Sequence, residues 1–452
     1  EEASTMGSTI ILKEVTMTTA KAQLAVLGLS TANILVPKQG IDLRKWAVVA
    51  CDQYTSEIEY WKKVNAYVGD NPSTLRLIFP EVYLHDNGKE ARIAEINRTM
   101  RDYLDQGLFT EYPDSFFLVH RTCENQRERW GLLAAIDLEK YDYSPDSKSL
   151  VRATEGTILS RIPPRKEIRK NAPLELPHIM VLIDDKKETV IEPFIMQRAF
   201  LEHVYDTPLM AHGGSVEAFR IHNPNDISTI AKAFQDLADA LPSDNPLLFA
   251  MGDGNHSLAT AKSCWEDIKK NLTPKEQERH PARYALVELE NIHQPGLVFE
   301  PIHRLLFHTT AEDFLSEVKN QAQSVTVEHI ANEETLLSRI NEEGAQKFGY
   351  LDKDGYQLFS LEGPSASIAA GTLQNVIDAL TSKGTAEVDY VHGLDVVNEK
   401  GVLDGNIGLI LPKISKDTFF ETIRRDRALP RKTFSMGEAE EKRYYLEARS
   451  II

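Results

Sequence analysis

Leu247-Leu248-Phe249-Ala250-Met251 runs directly into Gly252-Asp253-Gly254-Asn255-His256-Ser257, and helical spacing takes over from Leu258. A short apolar run of this length reads as a buried strand, and the glycine-rich turn joins it to a helix. A strand, such a turn and a helix start make an anion site in outline. Glycine lets the backbone come close to a ligand, while the free N–H groups and the positive end of the helix dipole face it. Asp253 can bind Mg²⁺ or accept a proton, His256 can donate to a phosphoryl oxygen, and Ser257 can cap the helix or touch phosphate. The plainer alternative is a tight turn in which Asp253 and Asn255 are only turn formers.

Outward from that unit, strand-like and helix-like patterns alternate, which predicts an α/β (α+β) fold with a mixed sheet. Trp46–Cys51 and Ile179–Ile183 read as buried strands, the second ended by Asp184-Asp185. Phe116–Val119 and Trp130–Leu138 read as a strand pair. Ile227, Ile230, Ala231, Phe234 and Ala238 share one helical face, as do Ile93, Ile96, Met100 and Leu104. Ser56 and Glu59 have the spacing of a capping box. A pattern shift near Thr309 suggests a core over 21–310 and a smaller C-terminal α+β region over 311–452 that can fold back on it. Residues 1–20 read as a disordered extension.

The chain has 452 residues and a formal net charge of −17. A field of that sign repels phosphate backbones and anionic membranes, so neither nucleic acid nor membrane is expected as a partner. Basic residues gather at Arg161–Lys170 and Arg424–Lys432, as solvated faces or as a pocket for a small anion. Three scattered cysteines, Cys51, Cys123 and Cys264, suit a reducing compartment. With no apolar run of transmembrane length and no signal-peptide pattern, the expected location is the cytoplasm.

Further polar groups stand at strand ends or near prolines: Asp52 and Glu57, Arg76, Arg165, His303 and Arg304, His392, and Lys432. Each alone is as well explained by structure. Zinc, EF-hand, nucleophile-elbow and Walker patterns are all missing, so any phosphate chemistry is not of the P-loop kind. A Gly-x-Gly without its third glycine does not make a Rossmann site.

Gly252-Asp253-Gly254-Asn255-His256-Ser257-Leu258-Ala259-Thr260-Ala261 resembles the signature of the family called domain of unknown function 1015, whose commoner form reads Asp-Gly-His-His-Arg. The resemblance extends over about 30–440, through the Asp52 region, Asn71-Pro72 to Pro80-Glu81, Trp130-Gly131-Leu132, Asp184-Asp185, Pro295-Gly296-Leu297 with Pro301-Ile302-His303-Arg304, His392 and Pro430-Arg431-Lys432-Thr433. The loop is in turn similar to the phosphate-binding loop of the ParB/sulfiredoxin superfamily, which includes free-serine kinases. That likeness implies a nucleotide (ATP or ADP) at the loop with Mg²⁺ and an acidic base nearby. Here Asn255 replaces the first His and Ser257 replaces Arg, which removes a bidentate phosphate fork. Arg76, Arg165, Arg304 or Lys432 can supply the charge instead.

The resulting expectation is a Mg²⁺- and nucleotide-dependent phosphotransferase for a small hydroxylated metabolite, with free L-serine as the narrowest option. Gly252, Gly254, Asn255, Ser257 and His256 would hold phosphate, Asp253 the metal, and Asp52 or Glu57 would take the hydroxyl proton. His303, Arg304, His392 and Lys432 would add binding groups. The alternatives are a phosphoester hydrolase acting on phosphoserine and a nucleotide-binding regulatory protein. A homodimer is compatible with either.

Overall fold

The computed structural model describes residues 2–452, the side chains of residues 2–6 and 8 excepted. It divides into two compact units: Glu1–Leu297 with Glu438–Ile452, and Val298–Gly437.

The first unit is built on a large mixed sheet. From edge to edge its strands are Val151–Arg152, Phe249–Asp253, Met180–Ile183, Tyr284–Asn291, Glu128–Asp137, Phe109–Thr122, Ser215–Ile221 and Glu202–Pro208. Phe249–Asp253 runs parallel to Val151–Arg152 and antiparallel to Met180–Ile183, so the loop strand lies next to the edge. Side chains alternate between two cores, as a strand buried on both faces requires. Phe116 and Leu118 join one core, Phe117 and Val119 the other, and all four are buried. The first core takes the helices Pro224–Asp239 and Asn255–Lys269. The second takes Ile58–Val68 and Lys89–Asp105.

The sequence stretch expected as an extension is helical from Glu2 to Val26, where Ala20 and Leu24 are buried in the first core. Trp46–Cys51 is not a regular strand. Asp42 accepts the Arg44 N–H at 3.1 Å and caps a one-turn helix, Leu43–Trp46. The stretch after it is extended, with an isolated bridge between Val49 and Tyr444. Glu57, not Ser56, is the N-cap of the next helix, and no side chain caps it. The C-terminal segment continues through a bridge between Leu35 and Ala448 and a short ladder of Arg449–Ser450 with Leu174–Glu175. It therefore closes the second core from the far end of the chain, with Tyr444, Tyr445 and Leu446 all buried.

The second unit has an antiparallel sheet in the order Ser324–Ile330, Gly355–Glu362, Gln346–Asp352, Asn406–Ile410, Glu300–Phe307 and Glu387–His392. Helices Ala311–Asn320 and Ala369–Ser382 cover one face and Glu333–Ile340 and Asp395–Gly401 the other. Leu306 and Leu305 point to the two cores in turn. Among the described residues, no helix is long and apolar enough to cross a membrane.

Candidate functional site

The loop at 252–257 forms where the strand Phe249–Asp253 meets the helix Asn255–Lys269. Gly254 makes the turn at φ +82°, in the left-handed region, and a Cβ there would come to 3.0 Å from Ile179 Cγ1. Both the backbone angle and the space select glycine. Gly254 is also the N-cap, so no side chain satisfies the first turn of the helix. Its N–H groups are the donors an anion would use. The neighbouring segment is tied to the loop at several points. Thr154 Oγ1 donates to the Met251 carbonyl at 2.8 Å, and Asn255 Nδ2 lies 3.4 Å from the Glu155 carbonyl and 3.3 Å from Thr157 Oγ1. His256 Nε2 accepts the Ile158 N–H at 3.2 Å, which leaves Nδ1 as the ring's donor. Asn255 Oδ1 is buried without a hydrogen-bond partner among the described residues.

Asp253 is held on both oxygens. Oδ1 accepts the Gly254 N–H at 2.9 Å, and Oδ2 lies 3.3 Å from Lys442 Nζ. Lys442 arrives on the C-terminal segment and is mostly buried. A Mg²⁺ bound directly to Asp253 would face that ammonium, so the donor set does not fit a resident metal at this carboxylate. The positive charge beside the loop is the lysine itself. One group of described residues has ligand atoms close enough for a metal, His203, Asp206 and Glu217 on the sheet edge, and it does not include Asp253.

A second set of links runs from the loop to the Asp52 region. Ser257 Oγ and His178 Nε2 are 2.9 Å apart, and His178 Nδ1 lies 2.9 Å from Tyr445 Oη. Tyr445 Oη accepts the Cys51 N–H at 3.0 Å. Burial first, then the charges of Asp52 and Glu81, push the Cys51 thiol far above its ordinary value, which makes it a poor nucleophile. Glu81 takes Arg165 Nε and Nη2 at 2.7 Å each. Burial raises the Glu81 carboxyl, with Arg165 pulling against it. Asp52 and Arg165 thus stand in one electrostatic neighbourhood with Ser257, joined through His178, Tyr445 and Glu81.

The segment carrying Lys442 is anchored by buried arginines. Arg121 donates to the carbonyls of Gly213 at 2.9 Å, Lys442 at 2.8 Å and Glu440 at 2.6 Å. Burial and the charge of Arg129 lower its pKa to about 10. Arg443 pairs with Glu288 at 2.6 Å and Glu447 at 2.9 Å. Burial works against its charge, but those two carboxylates outweigh it and hold it protonated.

Other residues singled out in the sequence stand elsewhere. Glu57 is felt by Tyr54, which stacks on Tyr60 at 3.7 Å. Arg76 donates to Asn65 Oδ1 at 2.6 Å and the Gly69 carbonyl at 2.9 Å, an exposed brace for the helix Ile58–Val68. His303, Arg304, His392 and Lys432 belong to the second unit. There His303 Nδ1 accepts the Leu411 N–H at 3.0 Å. Burial, then the neighbouring Arg304 and His392, lower its pKa to about 4. Arg304 is fully buried; it donates to the carbonyls of Ile302 and Lys432 and lies over the Tyr390 ring.

Lys442, His178 and Tyr445 were not singled out in the sequence, and Glu81 only as the end of the stretch from Asn71 in the family resemblance. Lys442 follows Glu438–Glu441 and looks like part of a solvated charge run. His178 had one signal, a lone imidazole between Pro177 and a buried strand.

A family model described as Protein of unknown function (DUF1015) matches residues 35–396. No curated protein matches the chain. Among solved structures, a free serine kinase in complex with AMP aligns at a TM-score of 0.36 and 10% identity, covering 69% of this chain and 90% of that one. A conserved hypothetical protein from Pyrococcus furiosus aligns at 0.33 and 11%, covering 68% and 90%. SbnI from Staphylococcus aureus, truncated at its C-terminus, aligns at 0.34 and 9%, covering 68% and 83%. Scores and identities this low transfer neither a fold nor an activity.

Proposed function

The chain belongs to the family described as Protein of unknown function (DUF1015), and from that premise we propose that it is a nucleotide-using phosphotransferase acting on a small hydroxylated metabolite, with free L-serine the first acceptor to try. The observation that carries the reading is the Asp253–Lys442 pair beside an uncapped helix start. A mostly buried ammonium beside open backbone donors of the loop suits the equatorial oxygens of a transferring phosphoryl group. Such transfer depends on positioning and charge more than on covalent chemistry by the protein.

In this reading the acceptor hydroxyl oxygen attacks the terminal phosphorus of the nucleotide. The bond to the bridging oxygen breaks and the shortened nucleotide leaves. The hydroxyl proton passes to Asp52, whose surroundings include the Glu81–Arg165 pair. Lys442 and the 255–257 amides balance the charge on the phosphoryl oxygens, with His256 Nδ1–H as a further donor. Mg²⁺ enters as part of the nucleotide substrate, not as a resident ion on Asp253. Tyr445 and His178 orient Ser257.

The test is nucleotide consumption with L-serine by the full chain and by Asp253→Asn and Lys442→Ala. Lys442→Ala is expected to lower turnover by roughly 10²–10³, as for loss of a charge-stabilising donor, and Asp253→Asn, which removes the carboxylate that holds that lysine, to lower it in the same direction. Turnover within about threefold of the parent in both variants would sink the assignment. Orthophosphate released from phosphoserine without nucleotide would replace transfer by hydrolysis.

A further inference from the structure

The second unit contains a cavity of about 540 Å³, the size of a small-molecule site. It opens where the strands Gly355–Glu362 and Asn406–Ile410 end and the helix Ala369–Ser382 begins. Ile340, Leu361, Leu411 and Phe419 give it an apolar wall. Two polar features face the same space. Ile368, Ala369 and Ala370 line it, and the helix they start has no capping side chain. Ser367, the nearest hydroxyl, is engaged by Asp426 and by Arg425 Nε at 2.8 Å. Lys413 also lines the cavity, and its ammonium has no partner among the described residues.

A dry apolar cavity would need neither of these. Open helix N–H groups and a lysine ask for an acidic group. Glu342 and Glu362 line the cavity too, which disfavours a polyanion such as a nucleotide. We propose that the cavity is a second ligand site, separate from the 252–257 loop, for a small organic anion. Its acidic group meets the N–H groups of Ala369 and Ala370 and the Lys413 ammonium. Its apolar part lies against Leu361, Leu411 and Phe419.

The probes are benzoate, phenyl phosphate and uncharged benzyl alcohol, titrated into the full chain by saturation-transfer NMR and calorimetry. At least one anion is expected to bind about tenfold more tightly than the alcohol, and the stronger of the two identifies carboxylate or phosphate as the group recognised. Lys413→Glu changes an exposed residue and is expected to weaken that anion by about fivefold or more without moving the melting temperature. Thr418→Trp, which adds bulk at the lining, is expected to abolish binding of all three probes. Neither anion binding at about 10 mM, or unchanged affinity in both variants, overturns the proposal.

Discussion

Both units bury charge, and the groups that stand out in each satisfy it in different ways. In the first unit, side chains meet side chains from distant segments: Asp253 with Lys442, Ser257 with His178, Glu81 with Arg165, and Arg443 with both Glu288 and Glu447. In the second unit, the buried His303 and Arg304 are bound to backbone groups of Leu411, Ile302 and Lys432. A backbone partner fixes one side chain within its own fold. A side-chain partner fixes two reactive groups relative to each other, which a site for charge transfer requires and a scaffold does not. On the proposed reading the chemistry lies with the first unit's linked side chains, and the His303-Arg304 pair serves the second unit's own fold.

The sharpest way to break the comparison is Arg443→Leu. It strands Glu288 and Glu447 in the core, and the expected loss is about 3–5 kcal/mol in urea unfolding of the full chain. A loss below about 1 kcal/mol would mean that the buried charges are not a linked set. Next comes acid. His303 has a pKa of about 4 against an ordinary 6.5. The folded state therefore refuses a proton that the unfolded state accepts, and stability is lost as pH falls from 6.5 through 4. The full effect is about 3 kcal/mol. Protection factors in Asn406–Ile410, which remove the intrinsic slowing of exchange in acid, are expected to fall from pH 7 to pH 4.5, and His303→Asn is expected to remove that fall. The smallest effect belongs to Arg76→Ala. Its guanidinium is exposed and braces a helix end, so melting should move by the equivalent of about 1 kcal/mol or less. Nucleotide turnover should not change, and a large fall would bring Arg76 back among the phosphate groups.

The strand, turn and helix around 247–269 were legible because their signals are local: an apolar run, a glycine that needs positive φ, and a 3.6-residue spacing. The mixed α/β class was legible for the same reason. Trp46–Cys51 misled because apolar runs report burial, not ladder pairing. Asp42 starts a helix turn there, and the residues beyond Trp46 are extended but bridged only once, at Val49. Lys442 and His178 were illegible because their meaning depends on residues 189 and 79 positions away, Asp253 and Ser257. A lysine in an acidic run looks solvated until the fold places it against a carboxylate.

The return of residues 438–452 to the first unit has a consequence for the order of synthesis. A chain emerging at roughly 5–20 residues per second exposes all of Val298–Gly437 before Lys442 leaves the ribosome. The second unit has its whole sequence available while the first still lacks the partners of Asp253, Glu288 and Val49. The half-made protein thus carries the 252–257 loop without its lysine, which arrives only after the whole second unit has been made.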